Sequence, residues 1–539
     1  MRLTARMILL PLTLAGQAAP ALVITPAEIK ADVRELASDA FAGRGPGEAG
    51  EAATIAYLQK QMAAAGLEPG GEDGGWTQAV PLVRLDRLPG ARAALTVAGR
   101  AVPLAIGTDA AVSFGNAGRT ELTDAPLVFA GFGVVDAAAG HDDFAGVDWR
   151  GKVALVLAND PDFEAGRDLG FEGRRLVIAG RIGSKFAAAA KAGAAGVLVI
   201  HEDAAASYPF SQVAQPLPAM VPAPLAASPL QMTGWLDRRA WAPLLRGARL
   251  ELPALKARAR ARGLRPMPLA GVAVSASGEV RATPVTSHNV IGKLPGTTRA
   301  GETVLFGAHW DANGTNGPDA SGDAIRNGAV DNGIGTAELL AVARAFAKAP
   351  RTARTVMFAA WTAEEKGLLG AEYYAAHPLA PLETTAAVIN LDPHVALPTA
   401  KTIELIGGGR TDLEDDLGHA AAAAGLRVVA EPNPEAGWYF RSDHYPFARR
   451  GVPALAFRIG RDLKAGGAAA GSRIVDAYNA RCYHQPCDEL PAGWTADGAA
   501  QEAAVAHALG RALAEGGRWP GWRDAAFGAA RATSAGVRR

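Results

Sequence analysis

Cysteine is almost absent from this chain of 539 residues: Cys482 and Cys487 stand alone, five apart in Cys-Tyr-His-Gln-Pro-Cys. In a reducing compartment such a pair suggests metal or redox chemistry. In an exported protein it is expected to be a disulfide closing a tight loop around His484. A surplus of charge is absent as well. Lys and Arg together number 54, as do Asp and Glu, so no net field draws nucleic acid or an anionic membrane. Beyond the first residues no apolar stretch is long enough to span a bilayer. No cysteine follows the N-terminal apolar run, so a lipoprotein anchor is not indicated. Nucleic-acid binding and stable membrane association are therefore not expected.

What the chain does have begins with an export pattern. Arg2 and Arg6 precede an apolar run from Met7 to Ala15, and small residues follow at Gly16, Ala18, Ala19 and Ala21. This reads as a signal peptide over residues 1–21, sending the chain to the periplasm or the extracellular medium; a cytosolic chain with an apolar start is the alternative. A hydrophobic fraction of 49% and a charged fraction of 20% are those of a soluble globular protein, and the length implies two or three domains.

Along the chain, Thr25-Pro-Ala-Glu28 predicts a capped helix over Thr25 to Ala37, and Ile55, Leu58 and Met62 share a face of a second one from Ala52 to Ala65. These helices read as scaffold, in residues 22–111, for a catalytic domain that is then interrupted. From residue 112 to 282 the texture changes to buried strands at Pro126–Ala130, Lys152–Leu157 and Gly196–Ile200 around a helix at Ile182–Ala192. His141 and His201 belong to no cluster there and read as surface or loop histidines. The catalytic segment resumes at 283 and runs to 515, closing on a helix from Ala499 to Ala514; residues 516–539, rich in Gly, Ala and Arg, are expected to be a loose tail.

The chemistry gathers in the resumed segment. Thr303–Phe306 and Thr355–Ala360 are apolar and β-prone, and Ile334–Lys348 carries Leu339, Val342 and Phe346 at helical spacing. Polar clusters follow where these elements run out: His309-Trp-Asp311, Gly328-Ala-Val-Asp331-Asn-Gly, and Ala363-Glu364-Glu365-Lys-Gly. In an open α/β sheet ligands bind beyond the carboxyl ends of the strands, so these groups are expected to converge. Ala387–Asp392 is another strand ending in an acid, and Tyr483-His484 supplies a second imidazole. Adjacent Glu364 and Glu365 point in different directions, which suggests one metal ligand and one general base. Two His, two Asp and one Glu, with no thiolate, suit zinc. Asp311 is a candidate to orient His309 through its second ring nitrogen. Taken singly, each of these residues also reads as a helix cap or a surface charge.

Taken together, His-x-Asp, Gly-Ala-Val-Asp-Asn, Ala-Glu-Glu-x-Gly-Leu-x-Gly, Asn-Leu-Asp, Arg-Ser-Asp-His-Tyr-Pro-Phe and Tyr-His-Gln-Pro-Cys-Asp resemble the M28 family of zinc peptidases, in its secreted aminopeptidase form. The segment 112–282 resembles the protease-associated domain inserted in such enzymes, through Phe129-Ala-Gly-Phe-Gly133, Asp143 to Val153 and Lys185 to Ile200. A generic small α/β domain is the plainer reading of it. The resemblance implies a three-layer, mixed-sheet α/β catalytic domain of the phosphorylase/hydrolase-like type, and an insert acting as a lid or specificity element. It implies two Zn2+ ions bridged by Asp331, one completed by His309 and Asp392 and the other by Glu365 and His484. It also implies Glu364 as general base, Tyr483 as donor to the oxyanion, and a cis peptide between Asp331 and Asn332.

Substrates are then peptides or small proteins, cut from the amino end. Arg441, Arg449 and Arg450 keep a carboxypeptidase or dipeptidase open, and a receptor-like binding protein or a single-zinc cyclase of similar fold are further alternatives. Trp438, Tyr439 and Phe440 read either as a side-chain pocket or as core. His444 is placed in the pocket wall, while His394 reads as either a second-layer or a turn residue.

Overall fold

One strand of 28 residues, Met267–Leu294, ties the molecule together. The computed structural model describes residues 24–261 and 263–538, and the signal peptide expected over residues 1–21 lies outside them. The C-terminal end of the long strand pairs antiparallel with Arg354–Trp361. From there the sheet continues through Arg299–His309, Thr385–Asn390 and Ala454–Ile459, all parallel. Thr402–Leu405 runs antiparallel beside the last of these, and Arg427–Ala430 lies at the edge. The central strands Arg354–Trp361 and Thr385–Asn390 are buried at every position, as their unbroken apolar runs require when both faces of a sheet are covered.

Helices Pro26–Leu36, Ile334–Lys348 and Asp497–Glu515 cover one face, packing Val33, Phe346 and Leu509 against Phe306 and Phe358. Leu369–Ala376 and Tyr445–Ala448 cover the other. The result is the expected mixed α/β sheet in three layers. Thr25 caps the first helix with the expected reciprocal bonds to Glu28.

The N-terminal half of Met267–Leu294 belongs to a second core. There it pairs with Arg92–Val97 and Gly118–Phe129, and the latter leads into a parallel series of Val153–Leu157, Gly196–Ile200 and Met232–Leu236. This core draws on residues from Val83 to Val280, so it takes in strands ahead of residue 112. His201, expected at the surface or in a loop, is 3% exposed and packs edge-on against Phe210 and Trp235.

Residues 516–538 are not a loose tail. A helix at Ala525–Ala532 returns the chain to the sheet, where the Arg531 guanidinium donates to the carbonyls of Leu382 and Thr385. Phe527 packs there against Trp522. Composition suggested looseness; a few long-range contacts outweigh it.

Candidate metal site

His309 is the last residue of strand Arg299–His309, Glu364 and Glu365 follow Arg354–Trp361, and Asp392 follows Thr385–Asn390. Asp331 sits in the turn Ala329–Gly333 that starts helix Ile334–Lys348. Its peptide bond to Asn332 is cis, as the resemblance implied. Gly328 opens that turn at φ +58°, and a Cβ there would lie 2.5 Å from both the Ala312 Cβ and the Asp331 carbonyl oxygen. No larger residue fits.

These side chains converge. His309 Nε2 lies 3.3 Å from Asp331 Oδ1 and 3.4 Å from Asp392 Oδ1. His484 Nε2 lies 3.2 Å from Asp331 Oδ2 and 2.9 Å from Glu365 Oε2. Asp331 thus faces His309 with Oδ1 and His484 with Oδ2, and Oδ2 also lies 3.4 Å from His394 Nδ1. Glu364 Oε2 is 3.9 Å from His309 Nε2. Among the described residues three groups could hold a metal: His309 with Glu364 and Asp392; Asp331 with Glu365 and His484; Asp331 with Asp392 and His394.

The donor set fits zinc on two observations. His309 Nε2, Asp331 Oδ1, Glu365 Oε1 and Asp392 Oδ1 are all buried without a hydrogen-bond partner, an arrangement that is costly unless something else binds them. Nitrogen and oxygen donors 2.0–2.2 Å from one tetrahedral ion stand about 3.3 Å apart, which matches the spacing of His309 with its two carboxylates.

Electrostatics point the same way, because the pocket holds more carboxylate than cation. Burial alone would lower the His484 imidazole; Glu365 and Asp331 outweigh it and raise it to about 9. Burial opposes a charge on His394 too, and Asp331 and Asp392 raise it to about 10. The Glu364 carboxyl is pushed well above the usual range by burial, against the pull of His309 and with the help of Asp443 and Asp392.

A supporting layer holds these groups. His309 Nδ1 is 3.1 Å from the Asp311 carbonyl oxygen and 3.6 Å from its carboxylate, so the backbone of Asp311 orients the ring more closely than the side chain does. Asp311 Oδ1 instead accepts from the Glu364 amide at 3.0 Å. Ser442 donates to Asp392 Oδ2. The Asp488 carboxylate accepts from the amides of Val330 and Asp331 at 2.9 and 3.1 Å and from the Tyr478 hydroxyl at 3.0 Å. Arg44 is buried and donates to the carbonyls of Leu36, Trp310, Asn327 and Gly328, pinning the loops after His309 and before Asp331.

Sequence reasoning gave no role to Arg44, Ser442 or Asp488. The last two lay inside quoted motifs, which was the available signal; Arg44 had only its glycine neighbours.

Cys482 and Cys487 form a disulfide. It closes the loop that presents Tyr483 and His484, whose rings stack at 3.8 Å. The Tyr483 hydroxyl accepts from Arg441 at 3.0 Å. His394 lies within the site, its ring 5.1 Å from Trp438. His444, expected in the pocket wall, is 0% exposed and packs edge-on against Tyr439. The aromatic triplet divides: Trp438 borders the site, while Tyr439 and Phe440 are core. Arg449 and Arg450 pair with Glu372, leaving Arg441 as the arginine of the three that reaches the site.

Residues 289–508 match Peptidase family M28. Leupeptin-inactivating enzyme 1 of Streptomyces exfoliatus is 28% identical over 210 residues, which is 38% of this chain and 44% of that protein. A probable zinc metalloprotease of Pyrenophora teres f. teres (strain 0-1) is 39% identical over 109 residues, 20% of this chain and 23% of that one. The chain spans less than half the length of these curated relatives. The solved structure of an aminopeptidase from Aneurinibacillus sp. strain AM-1 shares the fold at 20% identity and a TM-score of 0.54, covering 93% of this chain and 97% of that one.

Proposed function

We propose that this chain, a peptidase family M28 protein over residues 289–508, is an exported aminopeptidase that holds two zinc ions and releases N-terminal residues from peptides. The observation that carries the reading is Asp331, whose two oxygens each face a different imidazole, His309 and His484, beside separate carboxylates. In this reading His309, Asp331 and Asp392 hold one ion and Asp331, Glu365 and His484 the other. Bound zinc supplies Lewis acidity toward water and toward the scissile carbonyl.

The protein's own groups do the rest. Glu364 takes the proton of the attacking water and returns it to the leaving amine. The Tyr483 hydroxyl, held by Arg441, donates to the oxyanion, an interaction worth roughly 2.7–4 kcal/mol where such donors have been removed. Carboxylates around Glu364 receive the free α-amine. The disulfide supports an oxidising compartment, and among the described residues no helix is long and apolar enough to cross a membrane. The second core corresponds, in this reading, to the protease-associated insert.

The test is zinc content per chain together with hydrolysis of a leucyl and an N-blocked leucyl chromogenic amide, on wild type and Glu364→Ala. Two zinc ions, cleavage of the free-amine substrate alone, and near-complete loss in the variant with metal retained are expected. A chain that binds no metal would overturn the reading in favour of a binding protein; metal without activity on either amide would turn it toward carboxypeptidase or dipeptidase chemistry.

A further inference from the structure

Buried or half-buried arginines in this protein have partners. Arg344 pairs with Asp32 at 2.7 Å, Arg354 with Glu302 at 2.6 Å, Arg410 with Asp524 at 2.7 Å and Arg458 with Glu404 at 3.0 Å. Arg44 and Arg531 are saturated by backbone carbonyls. Among the described residues Arg181 and Arg441 depart from this pattern, their guanidiniums hydrogen-bonding neither a carboxylate nor a carbonyl, and they line the same cavity.

That cavity, of about 150 Å³, lies where the second core meets the catalytic sheet, and Arg181, Tyr208, Trp235 and Arg441 are among its walls. Arg181 comes from the second core, at the N-cap of helix Ile182–Ala192, whose first turn also borders the cavity. Arg441 comes from the catalytic side. Its guanidinium lies 4.3 Å from the Trp438 ring centre and 5.7 Å from that of Tyr208, and its one side-chain hydrogen bond among the described residues goes to the Tyr483 hydroxyl. Neither guanidinium is hydrogen-bonded to a carboxylate among the described residues. Burial, and next the neighbouring Arg441, lower Arg181 to about 10. Glu435 also lines the cavity but pairs with Arg174 at 2.9 Å, and Glu364 attracts both guanidiniums without a hydrogen bond to either, so two like charges with a helix N-terminus behind them still leave room for an anion.

The geometry points to a carboxylate-binding subsite here, formed jointly by Arg181 and Arg441, that receives a free carboxylate of a short peptide substrate. A guanidinium fork matches a carboxylate in two parallel hydrogen bonds. The cavity adjoins the metal site through one chain of contacts, Arg441 to Tyr483 and Tyr483 to His484. The source is either the α-carboxylate of a di- or tripeptide or an acidic side chain next to the scissile bond. This inference rests on the aminopeptidase reading for the bond that is cut, and it adds the substrate class and a task for the second core.

Binding tests it without turnover. In the zinc-loaded Glu364→Ala protein, calorimetric affinities would be measured for Leu-Gly, Leu-Gly-amide, Leu-Glu-amide and Leu-Gln-amide. A free carboxylate is expected to tighten binding at least tenfold: Leu-Gly over its amide if the α-carboxylate is the ligand, Leu-Glu-amide over Leu-Gln-amide if a side chain is. Adding Arg181→Gln is expected to bring the preferred ratio close to one, and Arg181→Lys to keep part of it. Equal affinities within both pairs would overturn the inference, as would a ratio that survives Arg181→Gln in a protein with an unchanged melting curve. Cleavage of leucyl chromogenic amide by the Glu364-containing enzyme is scored separately, so loss of the aminopeptidase reading is told apart from loss of the subsite.

Discussion

His394 Nε2 lies 2.9 Å from Asp392 Oδ1, while Ser442 donates to the other oxygen of the same carboxylate. The imidazole also brings Nδ1 to 3.4 Å from Asp331 Oδ2, and that nitrogen has no hydrogen-bond partner. His394 is held at φ +51°, a backbone region that non-glycine residues seldom adopt. Groups that orient metal-binding carboxylates typically change metal affinity 10–100-fold when removed. His394→Ala is accordingly expected to weaken zinc retention by about that factor, measured by competition with a chromophoric chelator. Unchanged retention would leave His394 as a turn residue.

The disulfide makes a separate prediction about the other imidazole. With Cys482 and Cys487 joined, the loop carrying His484 samples few conformations; once opened, it must be ordered by the metal itself. On the two-zinc proposal, Cys482→Ser with Cys487→Ser is expected to weaken the ion assigned to Glu365 and His484 at least tenfold. The ion assigned to His309 and Asp392 should be little affected, and titrating zinc against the chelator separates the two.

Glu338 and Glu502 give the protein a pH-dependent stability outside the metal groups. They sit on the packed helices Ile334–Lys348 and Asp497–Glu515, both 0% exposed. Burial, then Glu502, pushes Glu338 well above the usual carboxylate range; burial raises Glu502 to about 8, against the Ile459 amide that donates to it. A carboxyl whose folded pKa is raised holds its proton in the native state after the unfolded chain has lost it. Stability therefore falls as pH rises from about 4.5 toward 8. Glu502→Gln should flatten that slope and stabilise the protein at pH 8 by roughly 1–3 kcal/mol. Melting temperatures of zinc-loaded protein from pH 5 to pH 9 would show it, and a parallel slope in the variant would count against it.

Arg44 donates to four carbonyls from three parts of the chain. Arg44→Met would remove this donor from the carbonyls of Leu36, Trp310 and Asn327, while the Gly328 oxygen keeps the Gly333 amide, at a cost of roughly 3–5 kcal/mol. A lowered melting temperature and weakened zinc binding should appear together, because the same loops carry His309 and Asp331. A melting temperature within a degree of wild type would contradict this account.

The strand ends were legible in the sequence because an apolar, β-prone run that stops at an acid or imidazole is a local signal, but His309 and Asp392 read as bland residues when taken singly and gained weight only beside the other clusters. Asp331, Glu365 and His484 were legible as motifs, although their convergence depends on the sheet. Arg44 was not, since its partners are backbone carbonyls, which carry no side-chain signature. His444, assigned to the pocket wall because Tyr483-His484 matched the second imidazole better, is fully buried against Tyr439, a contact that no sequence pattern signals. The tail of residues 516–538 looked loose by composition because Arg531 and Phe527 find partners far away in the chain, at Thr385 and Tyr439.

Met267–Leu294 serves both cores within one sheet. Two units joined by flexible linkers can drift apart, whereas two units built on one strand are spaced by a ruler with a division every 3.3–3.4 Å. One residue inserted midway would move the far unit by about that step and turn every following side chain to the opposite face. Chain length in this protein is therefore free to vary in its surface loops but quantised along this strand.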